Sequence, residues 1–232
     1  LPGEVENFYC RIAKDLGIWL VPGSVYEKVG DDIYNTAMAI DPEGKVTGRY
    51  RKMFPFRPYE ENVEGGADFL VFDVPDAGRF GIHICYDQWF PETSRQMAWM
   101  GAEVLICPTM TNTADRELEV CLARANAITN QCYVFNVNVA GNLGNGRSIV
   151  VGPEGKIIYQ AGELQETIPL ELDIAKVAQV RERGVLGLGQ TLKSLRDSNS
   201  EFPVYKGASP DGGTAELGPL VKPKSRSKAK LD

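Results

Sequence analysis

The chain has 232 residues and is 43% hydrophobic, enough for a full core in one large domain or two small ones. Its 31 acidic residues outnumber 25 basic ones, and the resulting charge of −6 argues against a general nucleic-acid role. Five irregularly spaced cysteines and a single histidine, His83, argue against a disulfide framework and against a zinc site of the usual Cys/His kind. No apolar stretch is long enough to span a membrane as a helix, and the opening residues lack a secretory-signal pattern, so the expected compartment is the cytoplasm.

Residues 4–16 place Val5, Phe8, Ile12 and Leu16 at helical spacing. Residues 18–25 read as a buried strand, and residues 35–41 and 46–50 as a strand pair joined by Pro42-Glu43-Gly44. Residues 53–67 form a long loop rich in Pro, Glu and Gly. Residues 69–74 and 80–85 are predicted strands across a Pro-Asp-Ala-Gly turn. A helix follows over 91–100, opened by Pro91 and closed by Gly101. Next come a strand over 104–107 and a helix over 116–130 with Leu118, Cys121, Leu122 and Ala125 inward. A strand over 133–137 precedes a hairpin of 147–151 with 156–160. The last predicted elements are a strand over 167–172 and a helix over 174–182. Several strands are almost wholly apolar, as strands buried on both faces are. The order fits two stacked sheets with helices outside. The domain is expected to span residues 1–197, with 198–232 a solvated, mobile tail that ends in a basic run.

Chemistry concentrates at Cys85. The apolar run Gly81-Ile82-His83-Ile84 stops there and gives way to the polar Tyr86-Asp87. A thiol at the end of a core strand is a candidate nucleophile if a cation or base stands near it. Lys52, where a strand enters the loop Met53-Phe54-Pro55-Phe56, is the upstream candidate, since an ammonium among apolar rings can stabilise an anion. Glu60 and Glu61 offer carboxylates in that loop. Cys107, Cys121 and Cys132 read as small core residues, and Arg124 and Asn130 as sources of helix-to-loop hydrogen bonds.

Taken together, Tyr50-Arg51-Lys52 with its Phe-Pro loop, the run from Gly81 through Cys85-Tyr86-Asp87 to Phe90-Pro91-Glu92, Pro108-Thr109, the segment from Arg124 to Asn130-Gln131, and Gly146-Arg147-Ser148 before Gly152-Pro153 resemble the nitrilase superfamily of carbon–nitrogen hydrolases. The likeness extends over roughly residues 4–183. It implies an αββα sandwich with Cys85 as nucleophile, Lys52 as oxyanion partner and Glu60 as a second active-site carboxylate. It also places Tyr86, Trp89 and Thr109 beside the substrate, the last in a pocket-lining stretch from Thr109 to Asp115. No metal or cofactor is implied. Tyr86-Asp87 after the cysteine resembles amidases and N-carbamoyl-amide hydrolases more than true nitrilases.

The resemblance therefore implies hydrolysis of a small amide through a cysteine thioester, by a homodimer or larger assembly. The family's first glutamate, its general base, belongs to a segment upstream of Glu4 that the chain lacks, and its loss should lower turnover by about 10²-fold or more. The alternatives are a catalytically impaired fragment serving as an assembly or binding subunit, a nitrilase acting on nitriles, and a redox-sensing thiol domain.

Overall fold

The computed structural model describes residues 1–205, 214 and 217–222. The expected tail over 198–232 falls partly outside them, including the basic run from Pro223 on. Helix α1 (Glu4–Leu16) leads to a three-stranded antiparallel sheet of β1 (Ser24–Val29), β2 (Asp32–Ile40) and β3 (Val46–Arg51). A second sheet holds six strands in chain order: β4 (Leu70–Val74), β5 (Gly78–Ile82), β6 (Val104–Thr109), β7 (Tyr133–Asn138), β8 (Ile149–Val151) and β9 (Ile157–Gln160). Pairing is parallel for β5–β6 and β6–β7 and antiparallel elsewhere. The parallel crossovers run through α2 (Pro91–Trp99) and α3 (Arg116–Asn130), and α4 (Ala175–Arg183) and α5 (Thr191–Asp197) close the series.

Three apolar clusters stack these elements into an α-β-β-α sandwich. Ala13 of α1 packs with Met38 and Ile40 on the outer face of the small sheet. Ala37, Ala39 and Tyr50 on its inner face meet Ile82 and Ile84 from the large sheet. Met97, Ala123 and Ala127 of α2 and α3 cover Leu105, Val134 and Ile149 on the far side. Close approach of the two sheets requires Gly48, because a Cβ there would lie 2.4 Å from a Leu70 methyl carbon.

Several elements differ from the sequence expectation. The strand expected over 18–25 is reduced to a bridge between Leu20 and Ile40, since Pro22-Gly23 interrupts it before β1. Residues 167–172 join no ladder, and Pro169 in their centre lacks the N–H a ladder needs. Helix α5 was not anticipated; it is tied back where the Leu192 N–H donates to the Gln131 amide oxygen at 3.2 Å.

The helix faces also turn out differently. The Val5–Phe8–Leu16 stripe of α1 faces outward, while Glu6 is buried and paired with Arg49 of β3 at 2.7 Å. On α3, Leu118, Cys121 and Ala125 are exposed, and Arg116, Glu119, Ala123, Asn126 and Ala127 are buried. Cys121 is therefore not a core residue, unlike Cys107 and Cys132. The inward polar face of α3 is tolerated because Arg116, Glu119 and Asn126 find side-chain or backbone partners near the site.

Candidate active site

Strand β5 ends at Ile82, three residues before Cys85, so the cysteine does not sit on the strand as expected. It opens a short 3-10 turn, Cys85–Trp89, with φ at +49°. A left-handed backbone at a non-glycine residue costs energy and persists only where the surroundings hold it. Asp87 does much of that holding. Its carboxylate accepts the Ile84 N–H at 2.9 Å, the Phe54 N–H at 2.9 Å and the Tyr50 hydroxyl at 2.8 Å. One fully buried side chain thus binds the cysteine turn, β3 and the Lys52 loop together. Phe54 adds a stacked contact with Phe90, ring centroids 3.6 Å apart. Burial pushes the Asp87 carboxyl up to about 6 against the pull of its three donors.

Lys52 follows the end of β3 and is 2% exposed. Its ammonium donates to Glu60 at 2.6 Å, and Glu60 also accepts the Phe56 N–H and, at 3.4 Å, the Asn35 amide. Burial alone would raise the Glu60 carboxyl, but Lys52, Phe56 and Asn35 outweigh it and hold the group below its ordinary value. Glu61 takes no part in this cluster and is exposed.

Cys85 lines a cavity of about 580 Å³ with Phe56, Tyr59, Tyr86, Trp89, the stretch from Met110 to Asp115, and Glu119. Burial raises the thiol above its ordinary value. The Lys52 ammonium opposes that shift, the Glu119 carboxylate reinforces it, and the Met110 N–H and Thr111 hydroxyl favour the thiolate. The resting group is accordingly a thiol, not the standing thiolate that a cation alongside would suggest. Burial pushes the fully buried Cys107 upward and Cys132 up to about 12, so neither is a reactive alternative.

Of the residues singled out in the sequence, Tyr86 and Trp89 stand in the cavity wall with Cys85, while Lys52 and Glu60 are joined to each other and are not among its lining residues. Thr109 is elsewhere. It is buried with its hydroxyl directed to the Cys107 carbonyl at 3.3 Å, and Thr111, two residues on, lines the cavity instead. The cause is local: Thr109 ends strand β6, still paired with Asn138, whereas Thr111 lies in the loop beyond it. The Glu92 carboxylate accepts the Tyr205 hydroxyl at 3.1 Å. Arg124 donates to the Gly155 carbonyl at 3.3 Å and Asn130 to the Asn126 carbonyl at 2.9 Å, the helix-to-loop and local bonds of structural residues. Among the described residues, no group of three or more His, Cys, Asp or Glu could hold a metal ion. No helix among them is long and apolar enough to cross a membrane.

Sequence reasoning passed over a buried polar chain. The Thr111 hydroxyl donates to Glu119 at 2.9 Å, and Arg116 pairs with Glu119 at 2.9 Å and also donates to Asn136. Asn136 donates to the Gln88 side chain at 2.8 Å, and Asn126 to the Gln88 carbonyl at 3.0 Å. The chain runs from the cavity wall to the cysteine turn across α3 and β7. Polar residues at the buried positions of α3 were the signal in the sequence that could have revealed it.

The sequence model of the carbon-nitrogen hydrolase family matches residues 1–182. The chain belongs to that family. This carbon–nitrogen hydrolase is 32% identical over 199 residues to omega-amidase NIT2-B of Xenopus laevis, a match covering 79% of the chain and 71% of the relative. It is 36% identical to the solved Nit3 of Saccharomyces cerevisiae, a member of branch 10 of the nitrilase superfamily, with TM-score 0.73 over 78% of this chain and 69% of that one. An amidase from Nesterenkonia sp. AN1, solved with the acetamide moiety of fluoroacetamide added covalently at its active-site cysteine, is 26% identical, with TM-score 0.68 over 75% of this chain and 68% of that one. The two-sheet, helix-flanked architecture of this carbon–nitrogen hydrolase is that of the superfamily.

His83 is the one histidine of this carbon–nitrogen hydrolase, and it lies inside the core. Neither ring nitrogen has a hydrogen-bond partner among the described residues, and burial lowers its value from 6.5 to about 4. On acidification the unfolded chain takes up a proton near pH 6.5 that the folded chain refuses until about pH 4. The folded state therefore loses stability as pH falls through that window. Urea unfolding of the parent and His83→Leu should show the variant gaining about 2–3 kcal/mol relative to the parent between pH 7.5 and pH 4.5. A constant difference between the two proteins would mean that His83 does not stay neutral.

Proposed function

We propose that this chain hydrolyses a small amide through a thioester on Cys85. One observation carries the reading: a cavity wall presents Cys85 in a strained turn, with the buried Lys52 ammonium, itself paired with Glu60, acting on the thiol. A carboxylate takes the thiol proton; Glu119, which lines the cavity with Cys85 and acts on its thiol, is the one the described residues offer, in place of the glutamate that family resemblance puts upstream of Glu4. The sulfur adds to the amide carbonyl, and the Lys52 ammonium with a backbone N–H holds the oxyanion. The nitrogen receives the proton and leaves as ammonia or an amine. Water then adds to the thioester, and the acid departs as the thiol reforms. Glu60 holds the ammonium in position, Tyr86 and Trp89 flank the substrate, and Thr111 takes the place expected of Thr109. The omega-amidase relatives and the acetamide adduct on the Nesterenkonia cysteine support an amide over a nitrile. Assembly as a homodimer or larger belongs to the same proposal and is favoured by Leu118 and Ile128, exposed on α3.

Alkylation by iodoacetamide, itself a small amide, tests the reading. Because the Cys85 thiol is raised, fast labelling requires the pocket to bind and orient the reagent. Labelling of Cys85 should saturate with reagent concentration, while labelling of the exposed Cys121 stays linear. The same preparation should release ammonia from at least one member of a panel of aliphatic, aryl and N-carbamoyl amides. Linear labelling at both thiols, with no ammonia from any amide, would defeat the proposal.

A further inference from the structure

The wall of the Cys85 cavity is uneven in charge. It carries four aromatic rings, Phe56, Tyr59, Tyr86 and Trp89, and two carboxylates, Asp115 and Glu119, and no Lys, Arg or His is among the described residues that line it. The rings form a continuous run, with Phe56 4.9 Å from Tyr59 and 4.8 Å from Tyr86, and Tyr86 6.0 Å from Trp89. Aromatic faces bear negative charge density and attract a cation within about 6 Å of the centroid.

The nearby cations are already engaged. Lys52 is bonded to Glu60, and Arg116 directs its guanidinium to Glu119, Asn136 and the Arg147 carbonyl. Arg116 offsets part of the Glu119 charge, so the rings and Asp115 are left to set the preference of the pocket. The chain supplies its own example of the contact. The Lys222 ammonium stands 5.6 Å over the Tyr59 ring and 3.9 Å from the Glu61 carboxylate.

We propose that the pocket selects amides whose chain carries an ammonium or trimethylammonium group at the end away from the scissile carbonyl. The inference rests on the reading that Cys85 attacks an amide, and it adds the substrate class. A positive terminus meets ring faces and carboxylates, exchanging water for favourable partners. A negative terminus of the same size would meet those carboxylates, with no Lys, Arg or His among the described residues that line the pocket to pair with, and would be desolvated at a loss.

Three amides of matched length separate the cases: ε-aminocaproamide, caproamide and adipic acid monoamide. The kcat/KM for the cationic amide should exceed that for the neutral one by about tenfold, and the anionic amide should be the poorest. Asp115→Asn and Tyr59→Leu should each lower the cationic-to-neutral ratio by about threefold or more. A second readout needs no turnover. Trimethylhexylammonium should slow iodoacetamide labelling of Cys85 by about fivefold at concentrations where hexanoate and hexanol do nothing. Turnover of all three amides at similar kcat/KM, or a preference for the anionic one, overturns this inference and leaves the hydrolase reading standing. Cation-specific protection with no ammonia from any amide overturns the hydrolase reading and leaves the cation pocket. Equal protection by all three ligands overturns the pocket's charge preference outright.

Discussion

Replacing Cys85 with Ala is expected to bring amide turnover down to the uncatalysed level, a fall of roughly 10⁴-fold or more, while the protein stays folded. The size of the loss follows from the absence of a substitute. Cys107 and Cys132 are fully buried, and burial pushes both thiols up; Cys121 is exposed on the outer face of α3, and Cys10 lies on α1 against the small sheet. None of them lines the cavity. The fold should tolerate the change, because Ala removes a single sulfur from a half-buried position at a cost of about 1 kcal/mol. The strain of the left-handed backbone is borne equally by Ala. Ammonia release together with urea unfolding checks both halves. A Cys85→Ala protein that keeps a substantial part of its turnover would remove the thioester from the mechanism.

Asp87→Ala should produce the largest loss of stability near the site. The carboxylate is fully buried and is the acceptor for the Tyr50 hydroxyl and the N–H groups of Ile84 and Phe54. Removing it strands three donors, two of them fully buried, each costing about 1–3 kcal/mol, for a total of about 3–9 kcal/mol. That is comparable to the whole stability of many domains. Turnover should fall as well, since the bonds lost are those joining the cysteine turn to the Lys52 loop. The pH dependence has a definite sign. With the folded value raised from 3.8 to about 6, the folded chain holds a proton that the unfolded chain has released across that window. Asp87 thus favours the folded state on the acid side, and this contribution is lost as pH rises through about 6. Against the neutral Asp87→Asn variant, the parent's advantage should shrink by about 2 kcal/mol between pH 4.5 and pH 7.5. This trend is opposite to that of His83, so the two partly cancel in the parent. A pH-independent difference between parent and Asn variant would show that Asp87 is ionised throughout.

By itself the sequence determined what depends on near neighbours. Periodicity and terminal residues placed α3 at residues 116–130, and the Pro-Asp-Ala-Gly turn placed the β4–β5 hairpin. Motifs around Cys85 and Lys52 led to the family and to the candidate residues, because the chemistry needs those residue types in that order. Tertiary structure alone decided which helix faces are buried, the left-handed backbone at Cys85, the exchange of Thr109 for Thr111, and the binding of three segments by Asp87. The physical reason is the same in each case. A polar side chain enters the core only when its partners arrive there too, and those partners come from distant parts of the chain: Arg49 for Glu6, Tyr50 for Asp87, Gln88 for Asn126 and Asn136. Hydrophobic periodicity assigns such residues to solvent, and only the folded arrangement of the sheets and α3 brings their partners within reach.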